Sequence, residues 1–242
     1  MKIPIVMPTY NRPDYLLQVL AALSECENLD KFRIITSEEP NEEVSKVWDN
    51  VNLFECDVER HKNPERLGCT KNIFSALNLG FEQSDKVIIL EDDIVPSKDF
   101  LNFFLWAFEE YKDDKNVFGI STYQLVREKL DEDFLDKAVK LNLFNPWGWG
   151  LWKDSFDEIK TFTGETFLAQ SATSWDILLF NKVITQLKYN FIFPKIGRTQ
   201  NIGEHGTYVP SAEWQRANVF TPFNASSYDK TFTNFKEIEN GD

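Results

Sequence analysis

The sequence predicts an α/β protein: a Rossmann-like, mostly parallel central sheet flanked by helices, in a single domain. Three observations carry that expectation. Short apolar runs alternate with amphipathic helical stretches through the first half, which is the pattern of βαβ units. One run, Val87-Ile88-Ile89-Leu90, is apolar without a break, as suits a central strand buried on both faces. The 242 residues contain no internal repeat and no linker, and one large domain accommodates that length.

The elements follow in order. Residues 3–7 read as a short buried strand. Pro13 opens a helix, since proline is tolerated at the first helical position, and Leu16, Val19, Leu20 and Leu23 form its apolar face. A second strand is expected over 32–35, a helix over 42–48 and a third strand over 51–54. A helix over 70–81 carries Ile73, Phe74, Leu77 and Phe81 on one face, and 86–90 is the fourth strand. Ser97 is then expected to cap a helix with an apolar stripe from Phe100 to Tyr111, followed by a strand over 117–120. The second half is less periodic. A charged stretch over 131–140 reads as a solvated helix or loop, 144–152 is aromatic and glycine-rich, and 174–187 is helical. A short strand over 191–193 precedes a polar loop over 198–208. From 217 to 242 the chain reads as a loosely attached tail.

Composition removes several function classes. Lys and Arg total 26 against 39 Asp and Glu, a net charge of −13, which argues against a nucleic-acid partner that needs a phosphate-neutralising surface. A nucleotide ligand is compatible with that charge if a cation screens its phosphates. No apolar run reaches the length of a membrane span, and the start lacks the pattern of a signal peptide. Three cysteines, Cys26, Cys56 and Cys69, do not match zinc-site spacing and read as reduced thiols, so a cytoplasmic location is expected.

Ligands of open parallel sheets sit beyond the carboxyl ends of the strands. Those ends here carry Thr9-Tyr10-Asn11-Arg12, Ser37-Glu38-Glu39 and Glu91-Asp92-Asp93. Three acids in a row after a dry strand are costly unless solvated or bound to a cation. Carboxylates select hard cations such as Mn²⁺ or Mg²⁺, often shared with substrate phosphates. An acidic cap for the helix near Ser97 is the competing reading.

The stretch from Leu90 through Glu91-Asp92-Asp93 to Asp99-Phe100 resembles the acidic metal motif of nucleotide-sugar glycosyltransferases of the GT-A fold, with the N-acetylglucosaminyltransferase I family as the nearest pattern. Met7-Pro8-Thr9-Tyr10-Asn11-Arg12-Pro13 is similar to the opening of family 2 glycosyltransferases, and Gly68-Cys69-Thr70-Lys71-Asn72 to their glycine-to-asparagine helix start. Trp147-Gly148-Trp149-Gly150-Leu151-Trp152 resembles a segment of several bacterial glycosyltransferases, and Pro194 to Thr199 the segment before the donor loop. The ordered set spans roughly residues 3–208 and is more specific than any one motif.

The resemblance implies a metal-dependent, inverting transferase that moves a sugar from a UDP-sugar, UDP-GlcNAc first among them, to a glycan or glycolipid acceptor. It implies a nucleotide-binding part over 1–95 and an acceptor part over 96–216. Asp93 would coordinate the metal and Asp92 the donor ribose or sugar, with Glu91 beside them. Arg12 would meet the diphosphate or base, with Thr9 close by, and Glu38 or Glu39 would face uracil. Asn72 falls where that family has a histidine near the donor. Trp175-Asp176 resembles a Trp-Asp pair whose aspartate is the catalytic base, and a helix-capping aspartate is the alternative. His205, between Gly203 and Gly206, would close over the donor or sit in an exposed loop. Lys71, Lys195 or Arg198 would meet phosphate or remain surface charges. Trp147 and Trp149 would stack acceptor sugars or fill a core. A lipid-linked acceptor would require transient contact with a membrane. A sugar-1-phosphate nucleotidyltransferase is the rival enzyme, although 9–13 lack the glycine-rich phosphate loop it needs. An inactive glycan-binding relative is the rival outside catalysis.

Overall fold

The computed structural model describes residues 2–51, 56–169, 175–205 and 209–239, with only the backbone described over 162–169. In chain order the first half runs β1 (Ile3–Thr9), α1 (Pro13–Ser24), β2 (Phe32–Glu38), α2 (Glu42–Asn50), β3 (Asp57–Lys62), α3 (Cys69–Phe81), β4 (Lys86–Ile89), β5 (Ile94–Pro96) and α4 (Phe100–Glu110). The second half runs β6 (Val117–Ser121), β7 (Lys137–Leu141), β8 (Trp149–Trp152), α5 (Lys153–Ala169), α6 (Trp175–Leu179), β9 (Asn190–Pro194), β10 (Thr199–Asn201), α7 (Ala212–Asn218) and β11 (Lys236–Glu237). A π-helical stretch, Phe180–Gln186, continues α6.

One sheet orders its strands β11-β7-β9-β6-β8-β4-β1-β2-β3. The strands β1 to β4 are parallel, β6 and β9 run the same way, and β7, β8 and β11 run against them. The mostly parallel, helix-flanked sheet is the expected architecture. Side-chain alternation sorts the core into two layers. Ile5, Met7, Ile88 and Leu90 face the layer of α1, α2 and α4, whereas Val6, Val87 and Ile89 face that of α3, α5 and α6. The uninterrupted apolar run of β4 follows from being covered on both sides.

Several expectations need correction. The strand expected over 51–54 falls largely on 52–55, outside the described residues, and the third strand is β3. Its sequence, Asp-Val-Glu-Arg-His-Lys, gives no apolar signal because it is a half-solvated edge strand. The charged 131–140 stretch contains a short 3₁₀ turn and most of β7. Ser97 does not cap α4, whose first flanking residue is Asp99; its hydroxyl donates to the Asp99 carboxylate instead. The tail is not loose. Phe235 is buried against Phe103 and Trp106, at ring-centroid distances of 5.0 and 5.5 Å, and β11 adds a strand beside β7.

Candidate active site

The carboxyl ends of β1 and β4 meet at the centre of the sheet, where strand pairing holds Ile5 against Ile88 and Val6 against Ile89. Arg12 flanks the start of α1. From there its Nη1 pairs with Asp93 and lies 3.5 Å from Asp92 Oδ1. The Tyr10 amide donates to Asp92 Oδ2 at 3.3 Å. Asp92 and Asp93 are buried and Glu91 is half-buried. Burial pushes the Asp92 carboxyl up to about 7, the Asp93 charge adds to this, and Arg12 and the Tyr10 amide oppose it. Burial likewise raises Glu91, with Asp93 and Asp92 adding, and raises Asp93 against the pull of Arg12. One guanidinium does not offset three adjacent acids. The triplet precedes β5 rather than a helix, so the helix-cap reading of these acids falls.

A two-stranded ribbon, built from segments far apart in the chain, closes one side. β5 pairs antiparallel with β10, and the Ile202 amide donates to the Asp93 carbonyl at 2.9 Å. Gly203 then passes against the carboxylate itself: a Cβ there would lie 2.2 Å from Asp93 Oδ2. Asn201 Oδ1 accepts from the Gly203 amide at 2.8 Å and from Gln215 Nε2 of α7 at 2.7 Å. His205 is exposed just beyond, and the rest of the expected loop, 206–208, lies outside the described residues.

The opposite side comes from α6. Trp175 stacks on Trp149 at 5.6 Å. Asp176, the next residue, acts electrostatically on both Glu91 and Cys69.

Other expected residues are occupied by the protein. Glu38 is buried and takes a bidentate fork from Arg60, at 2.7 and 2.8 Å, plus the Thr36 hydroxyl. Glu39 accepts the amides of Leu67 and Gly68, both at 2.7 Å, and so clamps the turn into α3 where Gly68 adopts φ of 82°. Asn72 accepts from Ser37 and Asn63 and donates to the Thr9 carbonyl. These three residues brace the carboxyl ends of β1 and β2 and the turn into α3 from behind. The Thr9 hydroxyl, in contrast, is buried with no partner. Trp149 is 1% exposed between Trp175 and Phe144, so its rings fill the core rather than an acceptor platform. Trp147 is half-buried, edge-on to Tyr123 at 4.7 Å. Arg198 is fully buried, paired with Asp99 at 3.2 Å and donating to the carbonyls of Ile196 and Leu135, which removes it as a surface phosphate ligand. Lys71 is exposed, and Lys195 lies 5.2 Å over the Phe134 ring.

Sequence reasoning missed Arg66, whose guanidinium lies 4.4 Å over the Tyr10 ring. It sits in a polar loop without periodicity, one residue before the two amides that Glu39 holds. A cavity of about 460 Å³ lies at the opposite end of β4, around Asp85, Tyr111, Trp152 and Glu158, away from this chemistry. Among the described residues no three His, Cys, Asp or Glu side chains converge to hold a metal unaided. Two buried carboxylates short of positive charge fit a hard cation that completes its shell with substrate phosphate and water.

No family model matches the chain. It is 29% identical over 127 residues to an alpha-1,3-mannosyl-glycoprotein 2-beta-N-acetylglucosaminyltransferase of Arabidopsis thaliana, a match covering 50% of the chain and 26% of that protein. The match thus spans about a quarter of that relative's length. The fold superposes on residues 1–349 of S. aureus TarS with a TM-score of 0.56 at 12% identity, covering 82% of this chain and 60% of that one. The same protein in complex with UDP-GlcNAc gives 0.52 at 13% identity, covering 81% and 60%. HddC from Yersinia pseudotuberculosis gives 0.50 at 14% identity, covering 89% and 97%. Among the described residues, the nine-stranded, mostly parallel sheet with helices on both faces is similar in fold to the GT-A glycosyltransferases.

Proposed function

We propose that the chain transfers a sugar, with inversion, from a nucleotide diphosphate donor to a hydroxyl of a glycan or glycolipid acceptor. One observation carries the reading: Arg12 bridges Asp92 and Asp93 at the carboxyl ends of β1 and β4, with Asp176 in electrostatic range of Glu91. UDP-GlcNAc is the first candidate donor, because TarS binds it and the curated relative is an N-acetylglucosaminyltransferase by name.

Asp93 would hold Mn²⁺ or Mg²⁺, and Asp92 the donor's ribose or sugar. A divalent cation there would neutralise charge developing on the diphosphate. Arg12 moves from the carboxylates toward the phosphates as the donor arrives. The partnerless Thr9 hydroxyl is available to the nucleotide. Glu38, Glu39 and Asn72 hold the surrounding loops, and His205 and Gly203 belong to the segment that covers the donor. Asp176 takes the proton from the acceptor hydroxyl as its oxygen attacks the anomeric carbon. The bond from that carbon to the diphosphate oxygen breaks, and the nucleotide leaves. Exclusion of water by the Gly203 segment keeps transfer ahead of hydrolysis.

The test is UDP release from UDP-GlcNAc with a panel of glycan acceptors. Asp176→Asn should lower kcat by about 10²- to 10⁴-fold while the donor still raises the melting temperature. Near-normal turnover by this variant would remove Asp176 as the base.

A further inference from the structure

The aromatic sequence motif leaves little ring surface exposed. Trp149 is core and Trp147 is half-buried. Among the described residues, Trp214 and Phe220 are the exposed Trp and Phe side chains, at 44% and 43%. Both lie on one short segment, α7 and the turn after it, where the Phe220 amide donates to the Gln215 carbonyl at 3.0 Å.

That segment is built into the site. Gln215, next to Trp214, is buried and donates to Asn201 Oδ1, which also holds the Gly203 amide against Asp93. Arg216 lies 3.7 Å from Glu204. Arg127 fastens the far end of α7 by donating to the Ala217 carbonyl at 2.5 Å, and the Tyr123 hydroxyl donates to the Val219 carbonyl. A helix anchored by buried polar contacts has no packing need for an exposed indole, because burial is what rewards a large ring.

We infer that Trp214, with Phe220, forms the acceptor subsite, in which the indole stacks on the apolar C–H face of a pyranose. This rests on the glycosyltransferase reading and deepens it by naming the acceptor side. Sugar is favoured over a lipid surface because the charges beside Trp214 are mixed, Glu204 and Glu213 with Arg216, and the chain as a whole carries −13, which anionic headgroups repel. The ion pair of Arg216 and Glu204 offers both donors and acceptors to ring hydroxyls at the rim.

The test uses the full chain labelled with ¹⁵N-tryptophan, saturated with UDP, and titrated with gluco-, galacto-, manno- and N-acetylglucosamine trisaccharides. The Trp214 indole N–H signal is assigned from Trp214→Phe. At least one trisaccharide should shift that signal. Trp214→Ala should weaken its binding about tenfold, the scale of one aromatic contact, while Trp214→Phe retains it and both variants keep the UDP-induced rise in melting temperature. An unmoved Trp214 signal with every trisaccharide overturns the proposal, as does a shift produced only by phosphatidylcholine or phosphatidylglycerol vesicles. The failures are separable: no UDP-induced rise in the wild type sinks the donor reading, whereas a UDP rise with an unmoved Trp214 sinks this assignment alone.

Discussion

Asp92 shows what the site costs the fold. Its carboxyl is raised to about 7, first by burial and then by Asp93. A raised carboxyl binds its proton more tightly in the folded state, so its contribution is fully present at low pH and is lost as pH climbs from about 4 to about 7. Asp92→Asn removes that loss. The variant should be more stable than the wild type by up to about 4 kcal/mol at pH 8, equal to it near pH 4, and weaker in donor binding. Denaturant melts at the two pH values check this, and a variant less stable at pH 8 contradicts it. The triplet and Arg12 were legible in the sequence because they are neighbours within short motifs at strand ends. The commitments of Glu38 to Arg60 and of Arg198 to Asp99 were not, since those partners lie 22 and 99 residues away.

At the scale of elements, the paired strands β5 and β10, with α7, set how closely the Gly203 segment approaches Asp93. Gly203 is required there for space alone. Gly203→Ala would put a methyl 2.2 Å from Asp93 Oδ2, so the segment must lift or the carboxylate must turn. Overpacking of this kind costs about 1–3 kcal/mol, and the donor affinity should fall with it. Calorimetric titration of UDP into this variant, beside its melting temperature, checks both; unchanged affinity would place the segment away from the donor. Strands were readable where both faces are covered, as in β1 and β4. The edge strand β3 and the charged β7 were not, because their pairing is carried by backbone bonds that leave no apolar period in the sequence.

At the scale of the whole molecule, the segment from Phe232 to Glu237 ties the second half of the chain to α4 and β7. Phe235 fills a gap between Phe103 and Trp106, the Arg198 guanidinium lies 5.1 Å over its ring, and Asn102 donates to the Phe232 carbonyl. Phe235→Ala should therefore cost about 3 kcal/mol, read as a lower midpoint in urea unfolding. A loosely hung tail would give less than about 0.5 kcal/mol, as surface changes do. The sequence reads as a loose tail because the landing place depends on α4 and the buried Arg198, which no local pattern encodes. The central claim is that the carboxyl edge of this sheet binds a nucleotide sugar through Asp92, Asp93 and Arg12. The most direct measurement is the melting temperature with UDP-, GDP-, CDP- and dTDP-sugars, with and without Mn²⁺, in the wild type and in Asp93→Asn. UDP-GlcNAc with Mn²⁺ at 100 times its Kd should raise the wild-type value by about 5–10 °C and leave Asp93→Asn nearly unmoved. A cooperative wild-type transition that no nucleotide sugar shifts would contradict the account.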